Sequence, residues 1–188
     1  MLRIVPALIL AAATSLPLIQ PAVALPFSPP VYRTMPRVIH LDRKFMRQIV
    51  PYDTAEAAGS LIVDTEDHFL YLILGDGRAM RYGIGTAKTG FEWNGVHRIT
   101  NKREWPDWTP PAEMLARRPD IPTHMDGGID NPLGARALYI GSTLYRIHGT
   151  NEPWTIGGDV SSGCIRMINA DIIDLYDRVK IGAKVIVL

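Results

Sequence analysis

From residue 59 onward, apolar side chains come in short blocks cut by glycine and charge, a pattern of strands rather than helices. Leu61-Ile62-Val63 and the run from Phe69 to Leu74 predict two strands. The second is apolar on both faces, as suits a strand buried between layers. Gly75-Asp76-Gly77 predicts a hairpin reversal into a strand over 79–84, because glycine accepts the positive φ such turns need. Residues 96–100 predict a further short strand. The pattern then breaks over 101–134. Trp105-Pro106-Asp107-Trp108-Thr109-Pro110-Pro111 leads into a predicted short helix over 112–117, followed by Pro119, Pro122, Gly127-Gly128 and Asn131-Pro132-Leu133-Gly134. A long irregular insertion with two tryptophans reads either as a lid or binding loop, or as a packed excursion anchored by its indoles. Periodicity resumes in strands over 137–140 and 144–147 across Gly141-Ser142, which places His148 at the end of the second. Residues 149–163 form a polar, glycine-bearing loop that delivers Cys164. Asn169 is predicted to cap a helix with apolar face Ile172, Leu175, Tyr176 and Val179; Gly182 stops it, and 184–188 is a final strand.

The N-terminal 58 residues follow a different pattern. Arg3 precedes an apolar run from Ile4 to Ile19, interrupted by Pro6, Thr14, Ser15 and Pro17, and Ala22-Val23-Ala24 supplies small residues at a cleavage position. This predicts a cleaved export signal over 1–24; the alternative, a retained anchor, is disfavoured because the run is short and proline-broken against the roughly 20 apolar residues of a spanning helix. No cysteine follows the signal at the cleavage position, which excludes a lipoprotein anchor, and no other segment is apolar enough to span after cleavage. Pro26, Pro29, Pro30 and Pro36 make the next stretch a stiff tether, and residues 37–50 a short helix or an arm along the domain. The expected organisation is therefore a signal over 1–24, a proline-rich tether and arm over 25–58, and one domain over 59–188.

Composition narrows the class. The chain has 188 residues with 16 Gly and 15 Pro, a balance favouring a turn-rich, mainly β domain over a helical bundle. Without residues 1–24 the Lys+Arg and Asp+Glu counts are equal, which gives no electrostatic footprint for nucleic acid.

The single cysteine changes the picture most. A lone thiol in an exported chain has no disulfide partner and is exposed to oxidation, so its presence suggests use. Cys164 sits in Val160-Ser161-Ser162-Gly163-Cys164-Ile165-Arg166-Met167, with His148 sixteen positions upstream in Ile147-His148-Gly149-Thr150. A neutral thiol is a poor nucleophile; a histidine can take its proton and later return one to a leaving amine. Ser161 and Ser162 are placed to orient the base or donate to it. Gly163 lets the backbone approach a substrate, and its N–H with that of Cys164 is an expected oxyanion site. Arg166 reads either as a clamp for a substrate carboxylate or as half of a salt bridge to Asp159 or Asp171. Tyr82, Trp93, Trp154 and His124 are further candidates to line the site. A zinc site is the weaker reading, since His124, Asp126 and Asp159 lack ligand spacing.

These residues resemble a known family. Ile147-His148-Gly149-Thr150 with Ser161-Ser162-Gly163-Cys164-Ile165-Arg166-Met167 looks like the signature of the L,D-transpeptidases, the YkuD-type domain, over about Gly59 to Leu188. Residues 101–125 resemble an insertion of one proteobacterial branch. The resemblance implies a β-sandwich with mixed sheets, an irregular insertion and a short C-terminal helix. It implies a periplasmic, wall-associated enzyme in which Cys164 attacks the third residue of a peptidoglycan tetrapeptide stem. D-alanine leaves, and the thioester passes to an amine. It also implies no metal or organic cofactor. A lipoprotein lysine or water are alternative acceptors, the latter giving an L,D-carboxypeptidase. By the same resemblance His148 is the base, Gly149 orients it through its carbonyl, and Ser161 is the serine three before the nucleophile. Gly163, Ser162, Arg166 and Trp154 are the expected substrate contacts. Many members carry Ser-His-Gly-Cys where this chain has Ser161-Ser162-Gly163-Cys164, and that departure motivates a rival reading as a non-catalytic wall-binding domain.

Overall fold

The computed structural model describes residues 41–188; the expected signal, the proline-rich tether and residues 37–40 of the expected arm lie outside the described residues. Among the described residues, eleven strands and two α-helices follow in chain order: β1 Gln48–Pro51, β2 Leu61–Asp64, β3 Phe69–Gly75, β4 Arg78–Gly83, β5 Thr86–Ala87, β6 Gly95–Glu104, α1 Ala112–Arg117, β7 Arg136–Ile140, β8 Arg146–His148, β9 Asp159–Ser161, β10 Ile165–Arg166, α2 Asn169–Arg178 and β11 Lys184–Val187. Nine strands join in the order β1-β4-β3-β2-β11-β6-β7-β8-β10, and β5 pairs with β9 separately. The fold is mainly β with a mixed sheet, because β11–β2, β8–β10 and β5–β9 are parallel while the other pairs are antiparallel.

The two layers expected of a sandwich are halves of this one sheet, and β6 belongs to both. Its first residues pair with β11 and its last with β7, with a register shift between Ile99 and Asn101. One apolar cluster draws on both halves and on α2: Leu61, Val63, Leu70, Leu72, Ile99, Leu138, Ile140, Ile147, Ile172, Leu175 and Val185 are among its buried members. The outer face of β3 is apolar because a second cluster, Ile62, Ile73 and Ala79, lies there with Tyr52 and Tyr71 against it.

Three expectations change. Residues 101–104 are strand, not the start of the insertion. Asn101 to Glu104 carry no apolar residue, so their sequence gave no strand signal, and Lys102 explains how they are tolerated. Its ammonium donates to the carbonyls of Tyr176 and Val179 (2.8 Å for Val179), capping the end of α2. Of the segment expected over 37–50 as a short helix or an arm, the described residues form a 3₁₀ turn at Arg43–Phe45 and then enter β1, which extends the sheet edge N-terminal to Gly59 by pairing with β4. Asn169 does not cap α2 through its side chain; Ile168 is the N-cap residue. The Asn169 carboxamide oxygen instead accepts from the N–H groups of Ala135 (3.0 Å) and Thr150 (3.2 Å).

Candidate active site

The site follows from the pleat of two short parallel strands. β8 and β10 pair with Ile165 beside Ile147 and Arg166 beside His148. Side chains alternate across a strand, so Ile147 and Ile165 go to the core, where both are buried. Arg146, His148, Cys164 and Arg166 fall on the other face and line one cavity of about 600 Å³.

His148 is 3% exposed, and its Nδ1 lies 2.5 Å from the carbonyl oxygen of Gly149. A carbonyl only accepts, so Nδ1 carries the proton and Nε2 keeps its lone pair. Burial, then the nearby Arg166 and Arg146 charges, push the imidazolium pKa down to about 3 despite that hydrogen bond. The ring is therefore neutral across the physiological range. Cys164 is a free, half-buried thiol whose pKa is raised by burial, with Arg146 and Arg166 opposing the rise. At rest, therefore, the imidazole is neutral and burial favours the neutral thiol.

The turn that presents the sulfur is held from both sides. Ser161 is buried, and its hydroxyl donates to the Cys164 carbonyl (2.6 Å) and accepts from the Gly163 N–H (3.1 Å). The Ser161 hydroxyl, expected to serve the base, is thus engaged by the turn backbone, and the Gly163 N–H, expected at an oxyanion, is bonded to it. Gly163 has φ +113°, and a Cβ there would lie 2.2 Å from Cε1 of Tyr145. The Tyr145 ring stacks on Trp93 with centroids 4.5 Å apart, and Trp93 Nε1 donates to the Gly163 carbonyl (2.6 Å). Trp93 thus supports the turn from behind, lining a smaller cavity of about 210 Å³ with Gly163.

The other expected residues divide. Ser162 and Arg166 line the larger cavity, but the partner of Arg166 is Glu152 at 2.8 Å, not Asp159 or Asp171. Asp159 pairs with His68 and Thr86, and Asp171 faces Arg47. Trp154 is 55% exposed and outside the cavity lining, so it is not placed as a substrate contact. Tyr82 is fully buried and donates to Asp174, and His124 contacts Thr109 and Asp126 on the surface. The insertion contributes a wall of the cavity through Trp108, Met114, Ile121 and Met125, with Trp108 and Met125 joined by reciprocal backbone hydrogen bonds of 2.8 Å. Trp105 is 45% exposed and does not anchor it. Sequence reasoning missed Arg146 and Tyr145. Arg146 was legible, since it lies two residues before His148 in a strand and so shares its face.

The YkuD family, the L,D-transpeptidase catalytic domain, matches residues 58–187. The probable L,D-transpeptidase ErfK/SrfK of Escherichia coli K12 is 37% identical over 146 residues, covering 74% of this chain and 46% of its own length. The chain thus spans about half the length of that relative. A solved Brucella melitensis chain described as a probable carnitine operon oxidoreductase is 47% identical, with TM-score 0.53 over 79% of this chain and 96% of that one. The catalytic domain of the E. faecium L,D-transpeptidase shares the fold at 20% identity, with TM-score 0.55 over 72% of this chain and 100% of that one. Fold, motif and extent of match agree: the chain belongs to the YkuD family of L,D-transpeptidase catalytic domains.

Proposed function

We propose that the protein is an exported, wall-associated L,D-transpeptidase acting on peptidoglycan stem peptides through a thioester on Cys164. In this reading the proton of the Cys164 thiol passes to His148 Nε2 as the sulfur attacks the carbonyl of the third stem residue. His148 returns that proton to the amine of the departing D-alanine. An acceptor amine then attacks the thioester, loses its proton to His148, and the sulfur leaves. Gly149 keeps the imidazole in the tautomer this needs. Ser161 holds the turn, and Ser162 and Arg166 are the expected contacts for the stem. Export by a leader over 1–24 and residence in the periplasm are part of the same proposal.

One observation carries it. A buried imidazole with its Nδ1 committed and a free thiol share one face of paired strands and open into one cavity. Burial keeps the imidazole in its neutral, proton-accepting form. The test incubates the protein with tetrapeptide muropeptides and analyses products by mass spectrometry. Loss of D-alanine with formation of a third-to-third cross-link is expected, and a Cys164→Ala protein as active as wild type would refute the proposal. Trimming to tripeptide alone would assign an L,D-carboxypeptidase, and transfer to a lipoprotein lysine an anchoring enzyme; both use the same acyl-enzyme. Muropeptide binding without turnover, insensitive to thiol alkylation, would assign the wall-binding reading.

A further inference from the structure

Cys164 must lose its proton where burial opposes the anion, and the other groups nearby are engaged elsewhere, Arg166 acting on the sulfur only from within an ion pair. His148 is neutral until it accepts that very proton. Arg166 is paired with Glu152 at 2.8 Å. The Gly163 N–H is bonded to Ser161. The first residue of α2, Asn169, lies beyond the motif, too far along for the helix dipole to act on the sulfur. The insertion adds Glu113, Arg117, Arg118 and Asp130 to the cavity lining, with Arg118 held bidentately by Asp120 and Arg117 over the Phe91 ring.

Arg146 differs from all of these. It shares the His148 face of β8, and extending the parallel register by one residue sets it beside Cys164. Its Nη1 donates to the Leu144 carbonyl (2.9 Å), and its guanidinium lies 5.0 Å from the Tyr139 ring centroid, so the head group is fixed. Its Nε is buried without a hydrogen-bond partner, and among the described residues it has no carboxylate. Of the two guanidinium groups whose charge favours the Cys164 thiolate, Arg146 and Arg166, only that of Arg146 has no carboxylate partner among the described residues.

We propose that Arg146 is a further catalytic residue: its fixed cation holds the negative charge on the Cys164 sulfur when the proton moves to His148 and again when the sulfur departs from the thioester. In the first half the S–H bond breaks, the proton goes to Nε2, and the sulfur electron pair forms the C–S bond. In the second half the C–S bond breaks and the pair returns to sulfur. Arg146 keeps its own proton throughout.

The inference rests on Cys164 as nucleophile but on no particular acyl donor, so its test reads the thiol directly. The rate of carbamidomethylation of Cys164 by iodoacetamide is followed from pH 6 to 10 for wild type, Arg146→Lys and Arg146→Gln. Both variants give up the guanidinium fork, and Lys keeps the positive charge that Gln lacks. Arg146→Gln is expected to move the inflection up by about one unit and slow alkylation roughly tenfold at pH 7.5. Arg146→Lys is expected to stay within about threefold of wild type. A Gln profile superimposed on wild type, or equal rates for Lys and Gln, would overturn it. Muropeptide turnover by the wild-type protein, measured separately, distinguishes this failure from failure of the transpeptidase reading.

Discussion

Replacing Asn169 with alanine tests how the segment behind the catalytic base is held. The carboxamide oxygen accepts from the N–H groups of Ala135 and Thr150, both residues buried, and it sits where a Cβ on either Gly134 or Gly149 would approach it to 2.2 Å. No backbone carbonyl takes its place, because the crossing of the β7 entry, the Gly149-Thr150 segment and the start of α2 is filled by that one side chain. Each buried N–H left unsatisfied costs about 1–3 kcal/mol, so with two of them Asn169→Ala is expected to destabilise the domain by about 2–6 kcal/mol. Asn169→Asp keeps the acceptor oxygen and places a carboxylate in the first turn of α2, where the helix dipole favours it, and is expected to lie within about 1 kcal/mol of wild type. Urea unfolding followed by tryptophan fluorescence measures both, with an unchanged m-value as the condition for reading the midpoint shift as stability. Because Thr150 lies two residues past His148, Asn169→Ala should also lose more Cys164 acylation than its folded fraction accounts for. An Asn169→Ala protein within about 0.5 kcal/mol of wild type, or an Asp variant as damaged as the Ala variant, would refute the reasoning.

The nucleophile turn and the buried acids give further tests. Gly163→Ala combines φ +113° with a Cβ 2.2 Å from the Tyr145 ring, and is expected to cost about 2–4 kcal/mol in urea unfolding; adding Tyr145→Ala should recover part of it. Asp171 is buried 3.8 Å from Arg47, and burial raises its pKa to about 6, so the folded state favours its protonated form. That stability is present below pH 4 and lost as pH rises through 6; thermal melts should therefore show Asp171→Asn gaining on wild type across that window by up to about 3 kcal/mol. His148 acts in the opposite sense. Its folded pKa near 3 lies below the unfolded value, so stability is lost as pH falls from about 6.5 toward 3, and a His148→Gln protein should lose that acid sensitivity.

Sequence patterning revealed the elements whose apolar periodicity is intact. β2, β3, β7 and α2 fall where the blocks of residues place them, because burial on one or both faces leaves a direct record in residue type. The end of β6 was hidden because its interior-facing work is done by Lys102, a residue whose ammonium is satisfied by the last carbonyls of α2 and lies 4.1 Å from the Tyr176 ring centroid. Asn169 was misread for a related reason: an asparagine before an apolar helical face suggests a cap, and its actual partners are 34 and 19 residues away. At the site, His148, Gly149 and Cys164 were legible from motif and strand alternation. The bonded state of the Gly163 N–H, the choice of Glu152 for Arg166 and the exposure of Trp154 depend on loop paths that leave no periodic record.

The central claim is that neutral His148 takes the proton of Cys164 as the thioester forms. Intact-mass spectrometry of the protein mixed with a tetrapeptide muropeptide measures this at single turnover. A mass gain equal to the stem less D-alanine, mapped to Cys164, is expected, with the rate lowered about 10²-fold or more in His148→Gln. An adduct on another residue, or a His148→Gln protein acylated as fast as wild type, would contradict the account.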